Sequence, residues 1–92
     1  MRLSEIVWVR EIAEKVQRKH GLTPEEVEEA CFASGTHIRK TRDDRYALLG
    51  CTDAGRRIFV VFQKLGHGRV ILITARDMTD TEQRLYERHA HE

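Results

Sequence analysis

Arg76 and Tyr86 stand ten residues apart on either side of a helix start, a spacing that can hold a permanent cation and a phenol at one sheet edge. A guanidinium keeps its charge at any working pH and offers paired donors to two oxygens of a phosphate. A phenol can donate a proton or stack on an aromatic ligand. The competing reading of Arg76 is a salt bridge with Asp77, Glu82 or another helix carboxylate. Tyr86 lies one helical turn after Glu82, within hydrogen-bond reach, and could equally pack onto the sheet. His67 sits between Gly66 and Gly68. There the backbone is free to bring an imidazole to a ligand for proton exchange near neutrality, although an exposed turn histidine fits the same pattern. Arg45 opens a strand and could complete the catalytic set with Arg76, Tyr86 and His67. Arg39, Lys40 and Arg42 before it, and Lys64 and Arg69 around the glycine-rich turn, could extend a phosphate-binding patch or simply be solvated.

These side chains need elements to position them. The run Val70 to Ile73 reads as a strand, and strict alternation would put Val70, Leu72, Thr74 and Arg76 on one face. Thr79 with Glu82 forms a capping box, so a helix starts at Thr79. Near the N-terminus, Val9, Ile12, Ala13, Val16 and His20 recur at helical spacing over about Arg10 to His20, and Gly21 stops the helix. Ile6 to Val9 could form a short strand before it. Thr23, Pro24 and Glu26 supply the cap, first-turn proline and capping box of a second helix. Its apolar stripe is Val27, Ala30 and Cys31. Glu25, Glu26, Glu28 and Glu29 form its solvated face, the first two opposing the positive dipole end. From Ser34 onward, short apolar runs separated by glycine and aspartate predict strands at Thr36–Thr41, Arg45–Thr52, Arg57–Lys64 and Arg69–Arg76. The short connections at Asp53-Ala54-Gly55 and Gly66-His67-Gly68 make neighbours antiparallel. The expected fold is therefore α+β in a single domain spanning residues 1–92. It has two N-terminal helices, a four-stranded, mainly antiparallel sheet and a C-terminal helix. The helices would cover one sheet face and leave the other to a ligand or partner.

The composition, 40% hydrophobic and 34% charged with one proline, excludes a disordered chain. No apolar run approaches the ~20 residues of a membrane helix, and the first ten residues lack a signal peptide's apolar stretch, which points to the cytoplasm. The net charge of +1 conceals −2 over residues 1–33, +5 over 34–78 and −2 over 79–92. A basic middle between acidic ends can make a local anion-attracting face. Cys31 and Cys51 have neither CxxC spacing nor a histidine at ligand spacing, so buried free thiols are expected. His20 suits a helix C-terminus, His37 lies in the basic strand, and His89 and His91 form a terminal HxH pair. None of these makes a metal-ligand set, which leaves no sequence basis for a metal or other cofactor. Trp8 reads as core, and Phe59 and Phe62 fall on opposite faces of one strand.

Several phrases, in order, resemble the BrnT family of bacterial toxins. They are Trp8 followed by Lys19-His20-Gly21, then Thr23-Pro24-Glu25-Glu26-Val27-Glu28-Glu29, and Arg45-Tyr46 leading to Gly50. Asp53-Ala54-Gly55-Arg56 before a Phe/Val strand, Thr74-Ala75-Arg76, Glu82 and Leu85-Tyr86-Glu87 complete the series. The chain departs from the family at Ile12 and Val16, where lysine and asparagine are frequent, and in a less basic final helix.

The resemblance implies a RelE-like ribonuclease fold, pairing with a cognate antitoxin of a type II toxin–antitoxin system, and cleavage of RNA, free or ribosome-associated. Metal-free cleavage requires a base for the 2′-hydroxyl, cations for the phosphorane and an acid for the leaving oxygen. Arg76, Arg45, His67 and Tyr86 can supply those roles. DNA would be met only through the antitoxin, and a homodimer or a heterotetramer with the antitoxin is compatible with the scheme. The alternative is a catalytically weak or inactive protein-binding module of the same fold, favoured by the near-neutral charge and acidic last helix.

Overall fold

The computed structural model describes residues 2–90 of the chain. Its order is β1 (Glu5–Val7), α1 (Arg10–His20), α2 (Pro24–Phe32), β2 (His37–Arg42), β3 (Arg45–Cys51), β4 (Arg57–Gly66), β5 (Arg69–Asp77) and α3 (Asp80–Ala90). The local signals work as their chemistry dictates. Gly21 ends α1 in the left-handed region at φ 63°, its N–H donating to Gln17 O. Thr23 and Glu26 cap α2 reciprocally, as Thr79 and Glu82 do α3.

The sheet is five-stranded, in the order β1-β5-β4-β3-β2. The expectation of four strands is corrected by β1, which adds Glu5–Val7 in parallel beside Arg69–Ile71. The other neighbours are antiparallel.

Helices α1 and α2 cover one face. Val16, Leu22, Val27 and Ala30 bury against Leu48, Ile58, Val60, Phe62, Val70 and Leu72, none more than 2% exposed. Each such Val, Leu, Ile or Phe side chain contributes roughly 1.5–3 kcal/mol on leaving water. The approach of α2 to β3 is close enough to require glycine at position 50, where a Cβ would sit 2.5 Å from Ala30 O. Trp8 packs at the margin of this core and donates its indole N–H to Glu28 at 3.1 Å. Arg56 joins the helices to the sheet. Its guanidinium donates to His20 O at 2.5 Å, Gly21 O at 3.0 Å and both oxygens of Asp77, tying the α1–α2 junction to the end of β5.

One irregularity decides what the opposite face carries. Val61 pairs with Thr74 but Phe62 pairs with Leu72, so Ile73 is an extra residue in β5. A bulge of this kind inverts the alternation beyond it. Val70 and Leu72 remain core-facing, but Ala75 then joins them, fully buried, and Thr74 and Arg76 turn to the other face. The expected grouping of Arg76 with Val70 and Leu72 is thereby corrected.

That other face is not left open along its whole length. Helix α3 crosses the row His37–Leu49–Phe59–Arg76, which runs across β2, β3, β4 and β5. Glu82 in its first turn meets Arg76 on β5, and His89 in its last turn stacks on His37 of β2 with ring centroids 3.7 Å apart.

Candidate functional site

Pairing register sorts the basic residues by face. Arg39 lies beside Ala47, Arg42 beside Arg45 and Arg45 beside Gln63, all on the α3 side of the sheet. Arg57, Arg69 and Arg76 share that side. Lys40 pairs with Tyr46 and Lys64 with Val70, so both belong to the side of α1 and α2. These two lysines are thus separated from the patch expected of them, because alternation sends them through the opposite face.

The six arginines fall into two groups. Arg76 forms a two-point ion pair with Glu82, at 2.8 and 2.9 Å, while its guanidinium lies 4.1 Å from the Phe59 ring centroid. The pair to Arg76 is the main reason the Glu82 carboxyl is held below its ordinary range, and the cap hydrogen bonds from Thr79 add to it. Arg57 pairs with Glu87 and lies 5.6 Å from the centroid of Tyr86. Its hydrogen bond to Glu87 pushes the guanidinium further up. Arg69 pairs with Glu5 at 3.0 Å. Arg39, Arg42 and Arg45 have no side-chain hydrogen bond or ion pair among the described residues. All three come from the β2–β3 hairpin, which carries a compact group of available cations on the α3 side.

Tyr86 does not bond to Glu82, as its place one turn on had suggested, since both Glu82 oxygens serve Arg76 and the cap. The phenol instead lies by Arg57. Phe62 is core and Phe59 lies beneath Arg76, so the two phenylalanines do divide between faces.

His67 is not brought to this site. It occupies the β4–β5 turn at φ 55°, exposed, its carbonyl accepting from Ser4 Oγ at 3.3 Å. From the start of β5 to Arg76 is about 23 Å of strand at ~3.3 Å per residue. The glycines on either side of His67 serve the turn, and a shared catalytic role with Arg76 is excluded by distance. Arg45 lies four residues along the strands from the row of Arg76 and two strands across. That is about 13 Å by about 10 Å, too far for one phosphate to bridge at these spacings.

Asp43, Asp44 and Gln63 lie outside the expected set of site residues. With Arg42 and Arg45 they line a cleft of about 280 Å3 at the β2–β3 turn. The signal for the first two was present in Arg42-Asp43-Asp44-Arg45, a turn pair between cations. Gln63 enters only through the β3–β4 register. Both cysteines are free, Cys31 buried and Cys51 partly so. Burial, helped by Glu28, pushes the Cys31 thiol up to about 12. No three His, Cys, Asp or Glu side chains gather as a metal site would need among the described residues, outside which His91 lies. No described helix is long and apolar enough to cross a membrane.

The small α+β fold is shared with a solved ribonuclease toxin. The crystal structure of the Brucella abortus ribonuclease toxin BrnT superposes with a TM-score of 0.68 at 22% identity, covering 83% of this chain and 97% of that one. No curated protein matches in sequence. The family model described as the ribonuclease toxin BrnT of type II toxin–antitoxin systems matches residues 8–82. The chain belongs to the BrnT family.

Proposed function

We propose that this chain is a toxin that cleaves cytoplasmic RNA without a metal ion and is silenced by a protein antitoxin. The observation that carries this reading is the set of three arginines without a side-chain partner among the described residues, Arg39, Arg42 and Arg45, on the sheet face that also bears Arg57 and Arg76, with Tyr86 of α3 beside Arg57. A single-stranded RNA laid across this face meets permanent cations that neutralise its backbone. Arg76 and Arg57 stabilise the phosphorane once phosphate replaces Glu82 and Glu87 as their partner. The Tyr86 phenol, next to Arg57, is the proton donor to the leaving oxygen, and the 2′-hydroxyl gives its proton to solvent water as it attacks the phosphorus.

The antitoxin presents an acidic segment to the same hairpin arginines, so inhibition and RNA binding exclude one another. Any operator DNA is met through the antitoxin.

A second reading, a binding module of the same fold with little catalysis, is favoured by the pairing of Arg76 and Arg57 to acids of the chain's own last helix. Induced expression in a bacterial host separates the two. Growth arrest with loss of bulk RNA, relieved in Arg76→Ala at matched folded protein level, supports the toxin reading. Unimpaired growth with intact RNA favours the binding module.

A further inference from the structure

The cleft at the β2–β3 turn differs in character from the face beside it. Its lining of Arg42, Asp43, Asp44, Arg45 and Gln63 carries two positive and two negative charges, which cancel. None of these five side chains makes a hydrogen bond or ion pair among the described residues, although two carboxylates lie between two cations in four consecutive positions. A phosphate entering here would meet two carboxylates as well as two guanidiniums, so the cleft is a poor anion site. Its unspent donors and acceptors suit a neutral, planar, polar ligand. At about 280 Å3 the cleft lies near the lower bound of ligand pockets, ~300–1,000 Å3, and suits a group the size of one nucleobase.

Resting on the RNA reading above, we infer that this cleft is a base-reading subsite that takes an unstacked guanine. Guanine presents two adjacent donors, N1–H and the N2 amino group, and a single carboxylate accepts from both. It also presents two adjacent acceptors, O6 and N7, which match a guanidinium fork. Adenine lacks the donor pair, cytosine has one amino donor, and uracil has one imide N–H. Arg39 precedes Arg42 on the same face of β2, so a chain with a phosphate on Arg39 can splay one base into the cleft, the usual mode by which single-stranded RNA is read. Asp43 holds the turn at φ 49°, a conformation that aspartate and asparagine tolerate better than most residues. Carboxylate and amide can therefore be exchanged there without remaking the hairpin.

The test uses the full chain and uridine heptamers whose central nucleotide is guanosine, adenosine, cytidine or uridine, 2′-O-methylated throughout so that no 2′-hydroxyl is free to attack. Binding is read by fluorescence anisotropy. The guanosine heptamer should bind about tenfold more tightly than the other three, the discrimination of a good bidentate contact. In the Asp43→Asn/Asp44→Asn double variant, checked for unchanged melting, that preference should vanish while the all-uridine heptamer binds as well or better. Equal binding of all four heptamers by the wild type overturns the inference and leaves the RNA face standing. Preference for another base, or a guanine preference that survives the double substitution, also overturns it. Failure to bind any heptamer overturns the RNA reading and this inference with it.

Discussion

Glu82→Gln should loosen the fold and tighten RNA binding at once, because Glu82 holds both the cap of α3 and the guanidinium of Arg76. Glutamine still serves a capping box, so the substitution removes the charge while sparing the helix start. The Arg76–Glu82 pair has two good hydrogen bonds, at 2.8 and 2.9 Å, with side chains 35% and 20% exposed. Solvent screening at Arg76 limits its net contribution to about 1 kcal/mol, the upper end for accessible pairs. For a domain of this size that is a fall in Tm of roughly 4–8 °C. Because the Glu82 carboxyl is held below its ordinary 4.5, the stability it confers is complete above that value and is lost as pH falls through the lower folded value. Wild type and variant should therefore differ at pH 7 and converge in acid, as read by thermal melts across pH. The freed Arg76 gains a phosphate partner, which steepens the dependence of log K on log salt by about 0.7 for single-stranded RNA. Anisotropy titrations of a 2′-O-methylated heptamer at several salt concentrations measure that slope. A destabilised variant whose affinity and slope match wild type would refute the placement of Arg76 on the RNA path.

Three other substitutions or reactions test the scaffold. Gly50→Ala places a Cβ 2.5 Å from Ala30 O, forcing α2 away from β3, and should cost about 1–3 kcal/mol in denaturant unfolding. Arg56→Ala leaves His20 O and Gly21 O without their donor and should lower stability by about 1–2 kcal/mol. Asp77 is held below its ordinary 3.8 mainly by its hydrogen bond to Arg56, so that part of the stability in wild type is lost as pH falls through the lower value. Iodoacetamide at pH 8 should label Cys51 well before Cys31, whose buried thiol is pushed up to about 12, as peptide mapping would show.

The helix starts at Thr23 and Thr79 and the stop at Gly21 were legible in the sequence because each rests on contacts among neighbouring residues. The strands from Arg45 onward were legible from their turns. The side of the sheet that receives Arg76 was not. Ile73 is one more aliphatic residue in an aliphatic run, and nothing in its type betrays that it is skipped in pairing. Only the partner strand reveals it, and everything beyond it then changes face. β1 was similarly faint because three residues carry little pattern, and its parallel partner lies more than sixty positions away. Lys40 and Arg39 looked alike as members of a basic strand, yet alternation sends them to opposite sides. The salt bridge to Glu82 was visible as the rival to a free Arg76, whereas the grouping of Gln63 with Asp43 and Asp44 depends wholly on register.

Whether the α3 side of the sheet cleaves RNA is decided by incubating a single-stranded RNA with the purified protein in EDTA, beside two double variants of equal charge loss on opposite faces. Arg39→Ala/Arg45→Ala removes free cations from the α3 side, and Lys40→Ala/Lys64→Ala removes cations from the side of α1 and α2. Wild type and the lysine variant should cleave without metal, and the arginine variant should lose at least tenfold in rate. No cleavage by wild type, or equal losses in both variants, would rule out a nuclease site on the α3 side of the sheet.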